Sequence, residues 1–314
     1  MIWRDNLTGL ERNMEKRLYW YMIYGTVFCS EAEYPHLVET DIREAEAYIR
    51  LVGVMEGETG DDYENRIFVI NKKKIHFGNS KGSFMVTEGR YIDIHPNSDV
   101  PLPELNPFVF GYCMAMLFWQ RGRLAIHCST VNYNGSALII SGGSGSGKST
   151  LTARFLDCGS RLMTDDVAIL ETAGQGEIMV YPGFPQQKLC RDAADRNKLN
   201  TKELLYIDED KDKFAVDRRE GFSTEPARLG AMVCLNRYNG KEVRIRELSG
   251  HEKLDFILEN QFLRPMFENS CEYPPEDMKQ SIIIAMSVPV YEVLRPVKGD
   301  TTAEQLRLIT ARLP

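Results

Sequence analysis

The residues best suited to chemistry form one run, Ser141-Gly142-Gly143-Ser144-Gly145-Ser146-Gly147-Lys148-Ser149-Thr150. Positions 142–149 fit the pattern G-x-x-x-x-G-K-[ST]. Glycines let a backbone curl until several N–H groups point at one phosphate. A helix starting at such a turn adds its partial positive end. Lys148 then reaches β- and γ-phosphates as a point charge, and the Ser149 hydroxyl is placed to ligate Mg²⁺. The predicted nucleotide-binding set is Gly142, Gly143, Ser144, Gly145, Ser146, Gly147, Lys148, Ser149 and Thr150. ATP and Mg²⁺ are the expected cofactors.

Asp165-Asp166 follows Lys148 by seventeen residues. A protein that binds Mg·nucleotide needs a second oxygen ligand for the metal, directly or through water. The longer apolar run, Val167-Ala168-Ile169-Leu170, comes after the pair, whereas the usual metal-binding Asp ends such a run. Adjacent carboxylates repel unless a cation or proton neutralises one. One of the two can ligate Mg²⁺ while the other orients or deprotonates an acceptor hydroxyl. An Asp pair in a surface turn is the plainer alternative.

The flanking sequence must position these groups. Ala137-Leu138-Ile139-Ile140 predicts a strand entering the glycine-rich run. Leu151, Phe155 and Cys158 predict one apolar helix face leaving it, with Gly159 at the residue after the helix. Upstream, a buried helix is read at about 108–120 and strands at 124–131 and 136–140. His127 lies on the first of these strands. Parallel pairing would bring its end near the phosphates, and a packed core histidine is the alternative. His36, His76, His95 and His251 have no partner spacing. Helices at about 250–265 and 276–287 and a strand at 290–294 continue an alternating α/β pattern.

The leading region reads differently. Aromatic and β-branched residues predict a strand over 18–28, and short strands are expected at 66–70, 83–86 and 90–94. Glu88-Gly89 makes a hairpin turn between the last two. Ile42, Ala45, Ile49 and Val52 share one helical face, which predicts a helix over 41–52. Lys72-Lys73-Lys74 is expected in an exposed loop. Pro96, Pro101, Pro103 and Pro107 mark a stiff, non-regular connector. This divides the chain into a small α+β domain at 1–106 and a catalytic domain at 107–314.

Composition limits the rest. The 314 residues carry a formal charge of −7, with 43% hydrophobic and 26% charged residues. These are globular values, and bulk electrostatic wrapping of nucleic acid is disfavoured. Residues 1–106 hold 12 basic and 18 acidic side chains, so most of the acidity lies there. That region could steer a basic peptide or protein toward the core. The seven cysteines (Cys29, Cys113, Cys128, Cys158, Cys190, Cys234, Cys271) form no C-x-x-C pair, which fits a reducing compartment. The start, Met1-Ile2-Trp3-Arg4-Asp5, does not read as a signal peptide. The longest apolar run, 107–119, is too short to span a bilayer. A cytoplasmic protein with no membrane or nucleic-acid partner is expected.

Ala125-Ile126-His127-Cys128-Ser129-Thr130-Val131, the glycine-rich run, and Cys158-Gly159-Ser160-Arg161-Leu162-Met163-Thr164-Asp165-Asp166 together resemble the catalytic domain of HPr kinase/phosphorylase. They look closer still to HPr-kinase-related proteins of bacterial peptide-modification clusters, including lasso-peptide kinases. The resemblance continues through Tyr181-Pro182-Gly183-Phe184-Pro185 with Lys188-Leu189, and through residues 288–296. It implies an α/β fold whose P-loop core is of the HPr kinase / phosphoenolpyruvate carboxykinase-like type. It implies ATP-dependent transfer to a Ser or Thr hydroxyl of a protein or peptide. It also implies that Lys148 and Ser149 hold phosphates and Mg²⁺, that Asp165 is the catalytic base with Asp166 on the metal, and that His127 sits beside the transferring phosphate. A homo-oligomer is suggested by the same analogy. The glycine-rich stretch that HPr kinase/phosphorylase carries after its Asp pair is absent, which argues against HPr as acceptor and against phosphorylase activity. Lys213, Arg218 and Arg219 form a candidate basic loop over the γ-phosphate, or a solvated charge run. Two other functions fit the residues: a kinase of a small hydroxylated metabolite such as a free amino acid, and a nucleotide-gated peptide-binding module.

Overall fold

A computed structural model describes residues 17–55, 66–196, 199–201, 204–208, 212–268 and 273–313. Cys271 and the first five residues, both discussed above, lie outside the described residues.

The leading sheet has seven strands: β1 (Tyr19–Ile23), β2 (Thr26–Ser30), β3 (Ala47–Leu51), β4 (Arg66–Ile70), β5 (Lys74–Asn79), β6 (Gly82–Thr87) and β7 (Tyr91–Pro96). Their order is β1-β2-β3-β7-β6-β5-β4. The expected 18–28 strand is in fact a hairpin, turned at Tyr24 and Gly25 with φ of 51° and 69°. Glu88 and Gly89, at φ 56° and 60°, make the expected turn between β6 and β7.

The helix expected over 41–52 does not form, and β3 occupies 47–51. Ala47 and Ile49 are buried with partly buried residues between them, a two-residue alternation. Parallel pairing with β2 and β7 on either side satisfies the backbone. Those pairings override a spacing that also fits a helix, and Ile42 is left 49% exposed. Lys72 and Lys73 lie in an exposed turn between β4 and β5, as expected of the lysine run. Lys74 starts β5, while Lys72 donates to the Trp119 carbonyl at 2.8 Å.

The proline-rich connector contains α1 (Leu102–Pro107), started by Pro at the first turn. A π-helical turn, Phe108–Cys113, and α2 (Met114–Gln120) follow, matching the expected buried helix. The second half contains β8 (Leu124–Tyr133), β9 (Ser136–Ser141), α3 (Lys148–Asp157), β10 (Arg161–Thr172), β11 (Ile178–Tyr181), β12 (Gln186–Cys190), α4 (Arg191–Arg196), β13 (Leu205–Asp208) and β14 (Lys213–Asp217). It ends with β15 (Ala227–Tyr238), β16 (Arg244–Glu247), α5 (His251–Glu259), α6 (Arg264–Glu268), α7 (Pro275–Ser287), β17 (Val290–Pro296) and α8 (Thr302–Thr310). The fold is mixed α/β with several sheets.

The expected alternation fails between β10 and β16, a stretch that is mostly strand. The second sheet runs β11-β10-β8-β9-β15-β17-β16, and β11 also pairs with β15. Only β9–β15 and β15–β17 are parallel within it. A smaller sheet has the order β12-β14-β13.

One apolar cluster joins Phe28, Ile49 and Ile92 of the leading sheet to Val109 and Phe118, and to Val167 and Ile169 of β10. The segment 108–120 is thus filling between the two sheets. A polar knot closes its far end. Asp277, 3% exposed, accepts from the Trp119 indole N–H at 2.6 Å. The Lys72 ammonium stands 3.7 Å from Asp277 and 3.7 Å above the Trp119 ring. A buried carboxylate is tolerable only with such partners. Replacing Asp277 by Ala leaves the indole donor without its acceptor and Lys72 without its anion. Denaturant melts of Asp277→Ala should show a loss of about 3 kcal/mol in unfolding free energy, and a loss below about 0.5 kcal/mol would contradict this role.

Candidate functional site

The glycine-rich run connects β9 to α3 as a tight turn. Gly142, Gly145 and Gly147 have φ of 146°, 70° and 105°, values that L side chains rarely adopt. A Cβ on Gly142 would stand 2.3 Å from the Leu235 carbonyl oxygen. The sequence therefore has glycine where the turn crosses β15. Arg295 on β17 holds the turn from outside, donating from Nε to the Ser146 carbonyl at 2.6 Å and from Nη2 to that of Gly145 at 3.2 Å. The α3 N-terminus opens directly from the turn, with Lys148 as its first residue. Leu151 and Phe155 bury its inner face as expected, but Cys158 is exposed beyond the last turn.

Across the cleft stands the acid pair, in the middle of β10 rather than in a surface turn. Consecutive residues of a regular strand point to opposite faces. Asp166 has φ 75°, which breaks the alternation and lets both carboxylates line one cleft. The bend is held from behind. Tyr24 of the first hairpin donates to the Val167 carbonyl at 2.9 Å, and the Thr164 hydroxyl donates to the same oxygen at 2.6 Å.

The two acids have different surroundings. Asp165 is 7% exposed, and burial raises its pKa. Ser129, directly opposite on β8, donates its hydroxyl to Oδ1, and the Lys188 backbone N–H donates to Oδ2 at 2.7 Å. For Asp166 burial also pushes upward, but the Lys188 ammonium 2.7 Å from Oδ2 and the His127 ring outweigh it, holding the pKa down to about 2. The His127 Nδ1 lies 3.7 Å from Oδ1. Burial pulls the His127 pKa down, with Asp166 acting the other way. The imidazole is 44% exposed, so solvent screens both effects.

His127 does reach the cleft, but by another route than expected. β8 and β9 are antiparallel, joined by a turn at Asn134 and Gly135 with φ of 50° and 85°. The short hairpin leaves no room for a crossover. Pairing of Cys128 with Asp166 and of His127 with Val167 places the histidine instead.

Most predicted residues meet in this cleft. His127, 143–150, Asp165, Asp166 and Lys213 all line it, and Gly142 forms the base of the turn. The candidate basic loop is in fact divided: Lys213 starts the strand β14, which pairs with β12 through Lys188 and Ala215, while Arg218 and Arg219 follow its end. Lys213 at its start faces the cleft. Arg218 and Arg219 do not line it: Arg218 donates to the Gln187 side chain at 3.0 Å, and Arg219 pairs with Asp217 at 3.0 Å. Three contributors were not singled out from the sequence: Ser129, Lys188 and Arg295. Each falls inside a stretch that carries the family resemblance, and that was the available signal. Their partners are 36, 22 and 149 residues away, too far for spacing to show.

Among the described residues no group of three or more His, Cys, Asp and Glu is arranged to hold a metal by protein ligands alone. Mg²⁺ ordinarily takes one or two carboxylates together with substrate phosphates and water. Ser149 and the acid pair beside the turn fit that donor set, Asp166 being the member held as an anion by the Lys188 ammonium.

No family model matches the chain, and no curated protein matches it. Among solved structures it is similar to the HPr(Ser) kinase/phosphatase from Coxiella burnetii, with 13% identity and a TM-score of 0.30 over 60% of this chain and 98% of that one. A likeness that low says nothing about a reaction, so the geometry of the cleft must carry the reading. Among the described residues no helix is long and apolar enough to cross a membrane.

The acid pair gives a pH test. The folded pKa of Asp166 lies below the ordinary carboxylate value, so its contribution is complete above about pH 4 and is lost as pH falls toward 2. The stability advantage of the wild type over Asp166→Asn should therefore shrink between about pH 4 and pH 2, by roughly 1–2 kcal/mol. An advantage independent of pH would contradict the ion pair.

Proposed function

We propose that this chain is an ATP- and Mg²⁺-dependent phosphotransferase whose acceptor is a Ser or Thr hydroxyl of a protein or peptide. One observation carries the reading: a glycine-rich turn ending in Lys148 at a helix N-terminus shares a cleft with two adjacent carboxylates, Asp165 bonded by neutral donors and Asp166 paired with the Lys188 ammonium.

The turn's amides and the α3 terminus would bind the phosphates, with Lys148 directed to the β- and γ-positions. Mg²⁺ bound with the nucleotide would neutralise phosphate oxygens, held by Ser149 and Asp166. Asp165 would accept the proton of the acceptor hydroxyl as its oxygen bonds to the γ-phosphorus and the bond to the ADP oxygen breaks. Burial suits Asp165 to this task by raising its basicity. Ser129 and the Lys188 N–H each occupy one lone pair, and each carboxylate oxygen has another. Lys213 would face the transferring group with its positive charge, and His127 would face it with an imidazole able to share a hydrogen bond.

Labelled ATP, offered with Ser/Thr-containing peptides and with extract proteins, tests this. Lys148→Ala should weaken nucleotide binding and lower transfer by about 10²–10³-fold. Asp165→Asn should abolish transfer while nucleotide affinity stays within about threefold. No ATP binding by the wild type, or undiminished transfer by Lys148→Ala, would contradict the reading. Label appearing only on small hydroxylated metabolites would move the acceptor class.

A further inference from the structure

Lys188 addresses both acids of the cleft from one residue. Its backbone N–H donates to Asp165 Oδ2 and its ammonium to Asp166 Oδ2, each at 2.7 Å. The backbone contact is fixed, because β12 is paired with β14 through Leu189–Phe214 and Lys188–Ala215. The side chain is not fixed in the same way. It is a four-carbon stem ending in a compact charge with rotatable donors.

Asp166 depends on that charge. Its other oxygen faces His127 Nδ1 at 3.7 Å, beyond hydrogen-bond range, and accepts no hydrogen bond among the described residues. The same Asp166 is the ionised carboxylate best placed to meet a divalent cation. A divalent cation and an ammonium cannot both sit closely on Oδ2 without strong repulsion. Lys213 also lines the cleft but forms no ion pair with either acid, and two other cations are engaged elsewhere. Arg295 is spent on the turn's carbonyls, and the Lys148 ammonium donates to the Gly142 carbonyl.

We propose that Lys188 is the exchangeable cation of this cleft, alternating between Asp166 and the transferring phosphoryl group while a divalent cation replaces it on the carboxylate. This rests on the phosphotransferase reading above. The ammonium stays protonated throughout, and no bond to Lys188 forms or breaks. Its release would couple metal arrival to the delivery of positive charge where the phosphoryl oxygens develop charge. A lysine suits an exchange of this kind. An arginine would grip the carboxylate with two parallel bonds.

Calorimetric titration of Mn²⁺ into protein saturated with ADP tests the exchange without reading turnover. Lys188→Gln removes the competitor, so Mn²⁺ should bind about tenfold more tightly. Lys188→Arg strengthens the competitor, so Mn²⁺ should bind severalfold more weakly. A lysine that only orients Asp166 would give the opposite result for Lys188→Gln, and weaker or unchanged affinity in that folded variant overturns the proposal. If Lys188→Gln does not fold, Lys188→Arg alone decides, and unchanged affinity there overturns it. The phosphoryl half is read from kcat, which should fall about 10²-fold in Lys188→Gln with nucleotide affinity little changed. An undiminished kcat overturns that half. Metal affinities in the expected order, from a wild type that transfers to no acceptor, would overturn the phosphotransferase reading and support the exchange on Asp166.

Discussion

Two carboxylates stand next to each other in the middle of a strand, and much of the surrounding structure compensates for them. Left alone they would repel, and burial would add to the cost. The chain resolves this by giving each a different environment. Asp165 is enclosed and bonded by neutral donors, a hydroxyl from Ser129 and an N–H from Lys188. Asp166 is turned out by its left-handed backbone and given the full charge of Lys188. That bend is secured by Tyr24, which reaches β10 from the first hairpin of the leading sheet. Leading sheet and acid pair are therefore mechanically connected, with the aromatic filling of residues 108–120 lying between the two sheets.

The opposite wall of the cleft answers the acids with backbone geometry. The glycine-rich turn has conformations open mainly to glycine, and one of its positions is so close to Leu235 that no side chain fits. Arg295 fastens the turn's carbonyls from outside, next to the start of α3. Anion binding here does not need a basic protein. It needs a few amides, one helix end and Lys148, which is why a net charge of −7 is compatible with it.

The glycine-rich turn was legible in the sequence because its demands are local: glycines, one lysine and a hydroxyl within ten residues. The acid pair and its meeting with the turn were legible for the same reason, through β8, β9, α3 and β10 in succession. What stayed hidden depends on pairing across long distances. Lys188 meets Asp166 only because β12 is carried to β10's edge by a small separate sheet, and nothing in the spacing shows that. The region 41–52 was misread because Ile49 fits both a helical face with Ile42, Ala45 and Val52 and a strand alternation with Ala47, and the neighbours β2 and β7 decide between them. The antiparallel hairpin of β8 and β9 was concealed by the expectation of a parallel core, although Asn134-Gly135 is a hairpin turn signal. Arg218 and Arg219 were grouped with Lys213 by proximity in sequence, but they lie beyond the end of β14, where Gln187 and Asp217 engage them.

The central claim is that this cleft receives Mg·nucleotide, with the phosphates on the turn and the terminal phosphate toward the acid pair. Hydrogen–deuterium exchange of the wild type with and without Mg²⁺ and a non-hydrolysable ATP analogue tests it most directly. The account predicts slowed exchange concentrated in two separated segments, 142–151 and 186–190, because the first supplies the amides and the second packs against the acids. Protection confined to other parts of the chain, or none at saturating analogue, would contradict it.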